Sequence, residues 1–123
     1  MPPKERQTIC NVALRSVTNY LGVLNELHAT LQTREIRYWR DKQGHEVDFI
    51  LTRHRGGPAA IECTWTAKNA DVSNLLVFRR RYPRGESYLV ADDIDHAVTR
   101  TIDGVAITFV GLRELTARLL AAA

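Results

Sequence analysis

The chain has 123 residues, 45% of them hydrophobic and 25% charged, with a net charge of +3. That length fits one domain of ordinary globular composition, large enough to bury a core without disulfide or metal staples. A pI near 9.1 is only mildly basic, so any anionic partner is signalled by the clustering of arginines rather than by their total.

The two cysteines, Cys10 and Cys63, lie far apart and form no CxxC or Cys/His metal spacing. The opening "MPPKERQ" is charged and no long apolar run follows it, so neither a signal peptide nor a membrane span is expected. The expectation is a cytoplasmic, single-domain protein over 1–123, with residues 1–8 a flexible terminus.

In chain order, apolar residues at Ile9, Val12, Ala13, Val17, Leu21, Leu24, Leu27 and Leu31 recur at helical spacing, with Thr8 as a candidate cap. "EIRYWR" alternates as a strand, "DKQG" is turn chemistry, and "EVDFIL" and "PAAIECTW" follow as second and third strands. A helix is predicted from about Asp71 to Tyr82, ended by Pro83. "ESYLVADD" is nearly continuous in apolar character, which predicts a strand buried on both faces. "IDHAVTRTIDG" is ambiguous, "VAITFVG" is a further short strand, and "LRELTARLLAAA" closes the chain as a helix. The fold class is α/β, with a mixed sheet of 4–5 strands flanked by helices.

Two carboxylates stand where a core is expected. In "EVDFIL", alternation puts Val47, Phe49 and Leu51 on one face and Glu46, Asp48 and Ile50 on the other. In "AAIECTW", it puts Ala60, Glu62 and Thr64 together, opposite Ile61, Cys63 and Trp65. The short connection contains Gly56 and Gly57, which favours an antiparallel hairpin. A hairpin symmetric about Arg55 sets Asp48 opposite Glu62 and Ile50 opposite Ala60. Opposed Cβ atoms lie roughly 5 Å apart. Two ionised carboxylates at that spacing need a shared proton, a nearby cation or a metal. Oxygen donors so arranged suit Mg²⁺ or Mn²⁺.

The run "YWRDKQGHEVDFIL…AAIECTW" resembles the restriction-endonuclease-like domain of the PD-(D/E)XK superfamily. More narrowly, it resembles the version at the C-terminus of many bacterial and archaeal AAA-type ATPases. The resemblance extends from about Asn11 through "FRRRYPRGESYLV" to "LRELTARLL". It implies that Asp48 and Glu62 are catalytic and hold a divalent metal, Mg²⁺ or Mn²⁺, which activates water for attack on a phosphodiester. It also implies a lysine two residues after the glutamate, where this chain has Thr64, which supplies no positive charge. Lys68 is the candidate stand-in and Glu46 a neighbour. The glutamate that relatives carry before an Asn at the first helix is replaced by Cys10, with Glu26 as a remote substitute. No GxxxxGK[ST] is found, so the ATPase half is expected to be absent and the chain to be free-standing, excised or a remnant.

The basic run Arg79, Arg80, Arg81 and the hairpin tip Arg53 and Arg55 are candidates for contacting DNA or RNA phosphates. The alternative is a solvated helix end and a charged loop tip. Two functional readings stand open. One is a PD-(D/E)XK nuclease-like module that hydrolyses phosphodiesters or binds nucleic acid with a degenerate site. The other is a catalytically inactive interaction domain that binds a partner protein, an ATPase or its own copy.

Overall fold

The structure is a computed structural model that describes residues 22, 23, 25, 36–52, 56–68 and 70–121. Its elements are β1 (Ile36–Arg40), β2 (Glu46–Leu51), β3 (Ala59–Cys63), α1 (Ser73–Arg81), β4 (Ser87–Val90), β5 (Val98–Ile102), β6 (Val105–Val110) and α2 (Leu112–Ala121). Gly22, Val23 and Asn25 have helical backbone. The rest of the helix predicted over 9–31 lies outside the described residues, as do Cys10 and Glu26.

The six strands form one mixed sheet in the order β1-β2-β3-β4-β6-β5. β1, β2 and β3 are an antiparallel meander, α1 carries the chain over to β4 parallel to β3, and β6 lies parallel to β4. β5 and β6 form an antiparallel hairpin at the far edge. The fold is α/β as expected, with six strands rather than four or five. The additional strand is β5, from the segment that alternation left ambiguous. All but the last of its residues are exposed, so it has no apolar face to betray it. Its turn is the legible part. Asp103 and Gly104 both take positive φ, 50° and 81°, the two-residue turn that suits the twist of a hairpin.

Helices cover both faces of the sheet. On one side, Phe49, Leu51, Ile61, Tyr88, Val90 and Val110 pack with Leu115 and Leu119 of α2 and with Val23. On the other, Val47, Ile50, Ala60, Leu89, Ile107 and Phe109 pack with Leu75, Leu76 and Phe78 of α1. β4 is buried at all four positions because it has a parallel neighbour on each side and a helical layer above and below.

α1 begins where the Asp71 carboxylate accepts the Ser73 backbone N–H, 2.9 Å. It ends at Tyr82, whose N–H reaches the Phe78 carbonyl just before Pro83. In α2 the buried stripe is Leu115 and Leu119, one turn apart, while Leu120 is exposed. Each such leucine contributes roughly 1.5–3 kcal/mol through burial.

One sequence expectation is corrected. Val47 packs with Ile50 on the α1 side, and Phe49 with Leu51 on the α2 side. Strict alternation forbids that grouping. The cause is a β-bulge: Arg37 pairs with Ile50 but Trp39 with Val47, so Tyr38 alone opposes both Asp48 and Phe49. One extra residue on β2 reverses the facing of everything before it.

Candidate functional site

The β2–β3 hairpin has the register that its symmetry predicts. Phe49 pairs with Ile61, Ile50 with Ala60 and Leu51 with Ala59. Carried one step further, that register sets Asp48 against Glu62, and there the regular ladder gives way to side chains. The Asp48 backbone N–H donates to Oε1 of Glu62, 2.9 Å. The Cys63 backbone N–H donates to Oδ2 of Asp48, also 2.9 Å. Each carboxylate thus accepts a backbone N–H from the opposite strand. The swap falls at the bulge, where β2 bends away and backbone donors would otherwise lose carbonyl partners.

Both side chains are half-buried, and Glu46 two residues earlier is buried at 5% exposure. Two carboxylates supply hard oxygen donors of the kind Mg²⁺ and Mn²⁺ take, with water or phosphate filling the other positions. Among the described residues no group of three or more His, Cys, Asp or Glu gathers to hold a metal ion. Among the described residues, the pair is what a metal centre there would draw on.

Thr64 continues the line of β3, its N–H reaching the Val90 carbonyl at 2.8 Å. Lys68 lies in the turn beyond, exposed, its carbonyl accepting the Thr66 hydroxyl. That turn is tied to the β4–β5 loop by the Ala67 N–H, which donates to Oδ1 of Asp93 at 2.8 Å. Lys68 lines a depression there with Asp93, Asp95, His96 and Arg100. Lys68 is thus next to the β4–β5 loop, beyond the end of the strand that carries Glu62.

The three arginines at the end of α1 go three ways. Successive helical residues are turned by about 100°, so a run of like residues is not a single patch. Arg79 turns inward and is 4% exposed. Its Nε donates to the Ser87 hydroxyl at 2.7 Å, and its terminal nitrogens donate to the carbonyls of Pro58 (2.7 Å), Glu86 (2.6 Å), Tyr82 (3.2 Å) and Arg84. Burial pulls its guanidinium down to about 10, against the upward pull of the Glu86 carboxylate, and it stays charged at neutral pH. Those bonds tie the turn end of the β2–β3 hairpin, the end of α1 and the start of β4 together. Arg79 is a structural strut with its donors committed, not a phosphate contact. Arg80 is exposed beside Pro83 and Gly85. Arg53 and Arg55 lie outside the described residues.

Arg81 faces the β1–β2 turn. With Tyr82 it lines a groove of about 600 Å³ whose other wall is Trp39, Arg40, Lys42 and Gln43. Asp41 also borders the groove, but its carboxylate is spent on the turn. Oδ1 accepts the backbone N–H of Gln43 and of His45, both 2.9 Å, and Oδ2 meets Nδ1 of His45 at 2.7 Å. Burial works to raise the Asp41 pKa, yet its bonds to His45 and Gln43 outweigh that and hold it below the ordinary value. The signal for this groove was the interleaving of aromatic and basic residues in "RYWRDK".

No curated protein matches the chain. No helix among the described residues is long and apolar enough to cross a membrane. Residues 22–109 match the model of DUF4143, a domain of unknown function typically found in C-terminal regions associated with AAA ATPases. The matched span runs from the helical residues before β1, through the acid-bearing hairpin and the Arg79 strut, into β6. The chain therefore belongs to the DUF4143 family.

Proposed function

We propose that this chain is a PD-(D/E)XK nuclease-like domain with a degenerate active site, serving an AAA-type ATPase by binding rather than by cleaving. The observation that carries the reading is the reciprocal use of the two acids. Asp48 and Glu62 sit on adjacent antiparallel strands, as the resemblance implies for a metal hairpin, yet each holds the other strand's backbone. Hydrolysis of a phosphodiester also needs positive charge where the transition state builds negative charge. Thr64 stands where that cation belongs, and Lys68 lines a depression with residues of the β4–β5 loop. Family membership supports the ATPase context.

The test is incubation of the full chain with supercoiled plasmid and with single-stranded DNA, in millimolar Mg²⁺ or Mn²⁺. The expected result is intact DNA. Metal-dependent cleavage that disappears in Asp48→Asn would overturn the reading.

A second reading keeps the metal without the catalysis, and the hairpin register favours it. Asp48 and Glu62 would then hold Mg²⁺ or Mn²⁺ with water in the remaining positions. Calorimetric titration with Mn²⁺ decides between the two. Saturable binding lost in both Asp48→Ala and Glu62→Ala supports a retained metal site, and no binding at millimolar metal rejects it.

A further inference from the structure

The groove between the β1–β2 turn and the end of α1 combines three features that occur together nowhere else among the depressions described above. It is cationic, with Arg40 and Lys42 on one wall and Arg81 on the other. All three are exposed. The one acid at its border, Asp41, is turned into its own loop and satisfied there. The groove is also aromatic. Tyr82 is 42% exposed on one wall, and Trp39, half-buried, lines the other.

The rings are held in place rather than loose. Trp39 meets Phe78 edge-on, with centroids 5.3 Å apart, and Phe78 meets Tyr82 at 5.0 Å with a tilt of 40°. Phe78 is buried in the core, so it anchors both Trp39 and Tyr82 to the body of α1.

Rigid aromatic faces beside exposed cations are what an unpaired nucleic-acid strand requires. The cations neutralise its phosphates and the rings offer planes on which bases stack. An acidic peptide would use the charges but has no general need of two presented rings. A duplex would keep its bases stacked on one another and leave the rings without partners. We propose that this groove binds single-stranded nucleic acid, with Arg40, Lys42 and Arg81 on the backbone and Tyr82 and Trp39 against bases. The inference rests on the reading of the domain as one that binds rather than cleaves, and it puts the ligand in a groove whose lining includes neither Asp48 nor Glu62.

The test is fluorescence anisotropy of a labelled oligothymidylate of about 15 nucleotides, titrated with the full chain at low salt and without divalent metal. Saturable binding is expected. Its logarithm should fall against the logarithm of salt with a slope of about −2, as three cations on a single strand give. Arg40→Ala with Lys42→Ala and Arg81→Ala should weaken binding at least about 10-fold, and Tyr82→Leu, which keeps bulk against Phe78, about 5-fold or more. Arg113→Ala, an exposed arginine on α2 across the sheet, should leave binding unchanged. Circular dichroism of each variant confirms folding. The proposal is overturned by no binding, by binding that the groove variants leave intact, or by equal binding of poly-glutamate or of a duplex of the same length. Any of those results with the DNA still intact leaves the non-cleaving reading standing, whereas metal-dependent cleavage would remove that reading alone.

Discussion

Asp48 and Glu62 each accept a backbone N–H from the opposite strand, so truncation of either exposes a defect whether or not metal is present. Asp48→Ala leaves the Cys63 N–H without its acceptor and is expected to cost about 1–3 kcal/mol in urea denaturation, equally in EDTA and in Mn²⁺. Asp48→Asn keeps an acceptor oxygen and should lose less. Arg79 is the larger case, because one guanidinium serves four carbonyls and a hydroxyl. Arg79→Lys retains the charge but not the planar fork, and Arg79→Met loses both; the latter should cost roughly 3–5 kcal/mol. Asp41 gives the acid limb of stability. Its folded pKa lies below the ordinary aspartate value of 3.8, so the unfolded chain takes up its proton first. The contribution of this turn is therefore present above that value and lost as pH falls through the lower folded one. Denaturation at pH 7 and in the acid range should show the wild type losing more than Asp41→Asn. At this scale the sequence showed which residues were chemically unusual but not their partners. Arg79 looked like one of three solvated arginines, although its spacing of four from Leu75 and three from Leu76 put it on the buried stripe.

Among the elements, the β2–β3 hairpin was the best read, because two short strands joined by a Gly-Gly turn leave few registers. The bulge in β2 was not readable from β2 at all. It is a property of pairing with β1, where Tyr38 opposes two residues, and alternation within one strand carries no trace of its neighbour. The same hairpin is held at its turn end by close backbone approach. Gly57 has φ +81°, and a Cβ there would lie 2.4 Å from the Arg84 carbonyl oxygen. Gly85 has φ +121°, and a Cβ there would lie 2.1 Å from the Pro58 carbonyl oxygen. Gly56→Ala, with φ +79° but open space around it, should cost about 1 kcal/mol from backbone strain alone. Gly85→Ala meets strain and collision together and should cost about 3 kcal/mol or more. Thermal melts of the two variants compare those terms directly.

For the whole molecule, the α/β class followed from strands and helices of opposite period. The handing-over of the chain by α1 from an antiparallel meander to a parallel core was legible as element order. The depth of each strand in the sheet was legible only for β4, whose run "SYLV" has no polar face to offer water beyond Ser87. Both edges of the sheet carry charge: β5 is exposed along most of its length and includes Arg100, and in β1 Arg37 and Arg40 flank the two aromatic residues.

The place of β4 has a temporal consequence. Its backbone is paired in parallel on both sides, and parallel partners come from distant parts of the chain. The meander and the β5–β6 hairpin close short loops and can fray or re-form by themselves, but neither can release β4 without undoing the other's attachment to it. The amides of Tyr88, Leu89 and Val90 are thus the clock of the molecule: in deuterated solvent they should exchange last, and only as often as the entire chain unfolds.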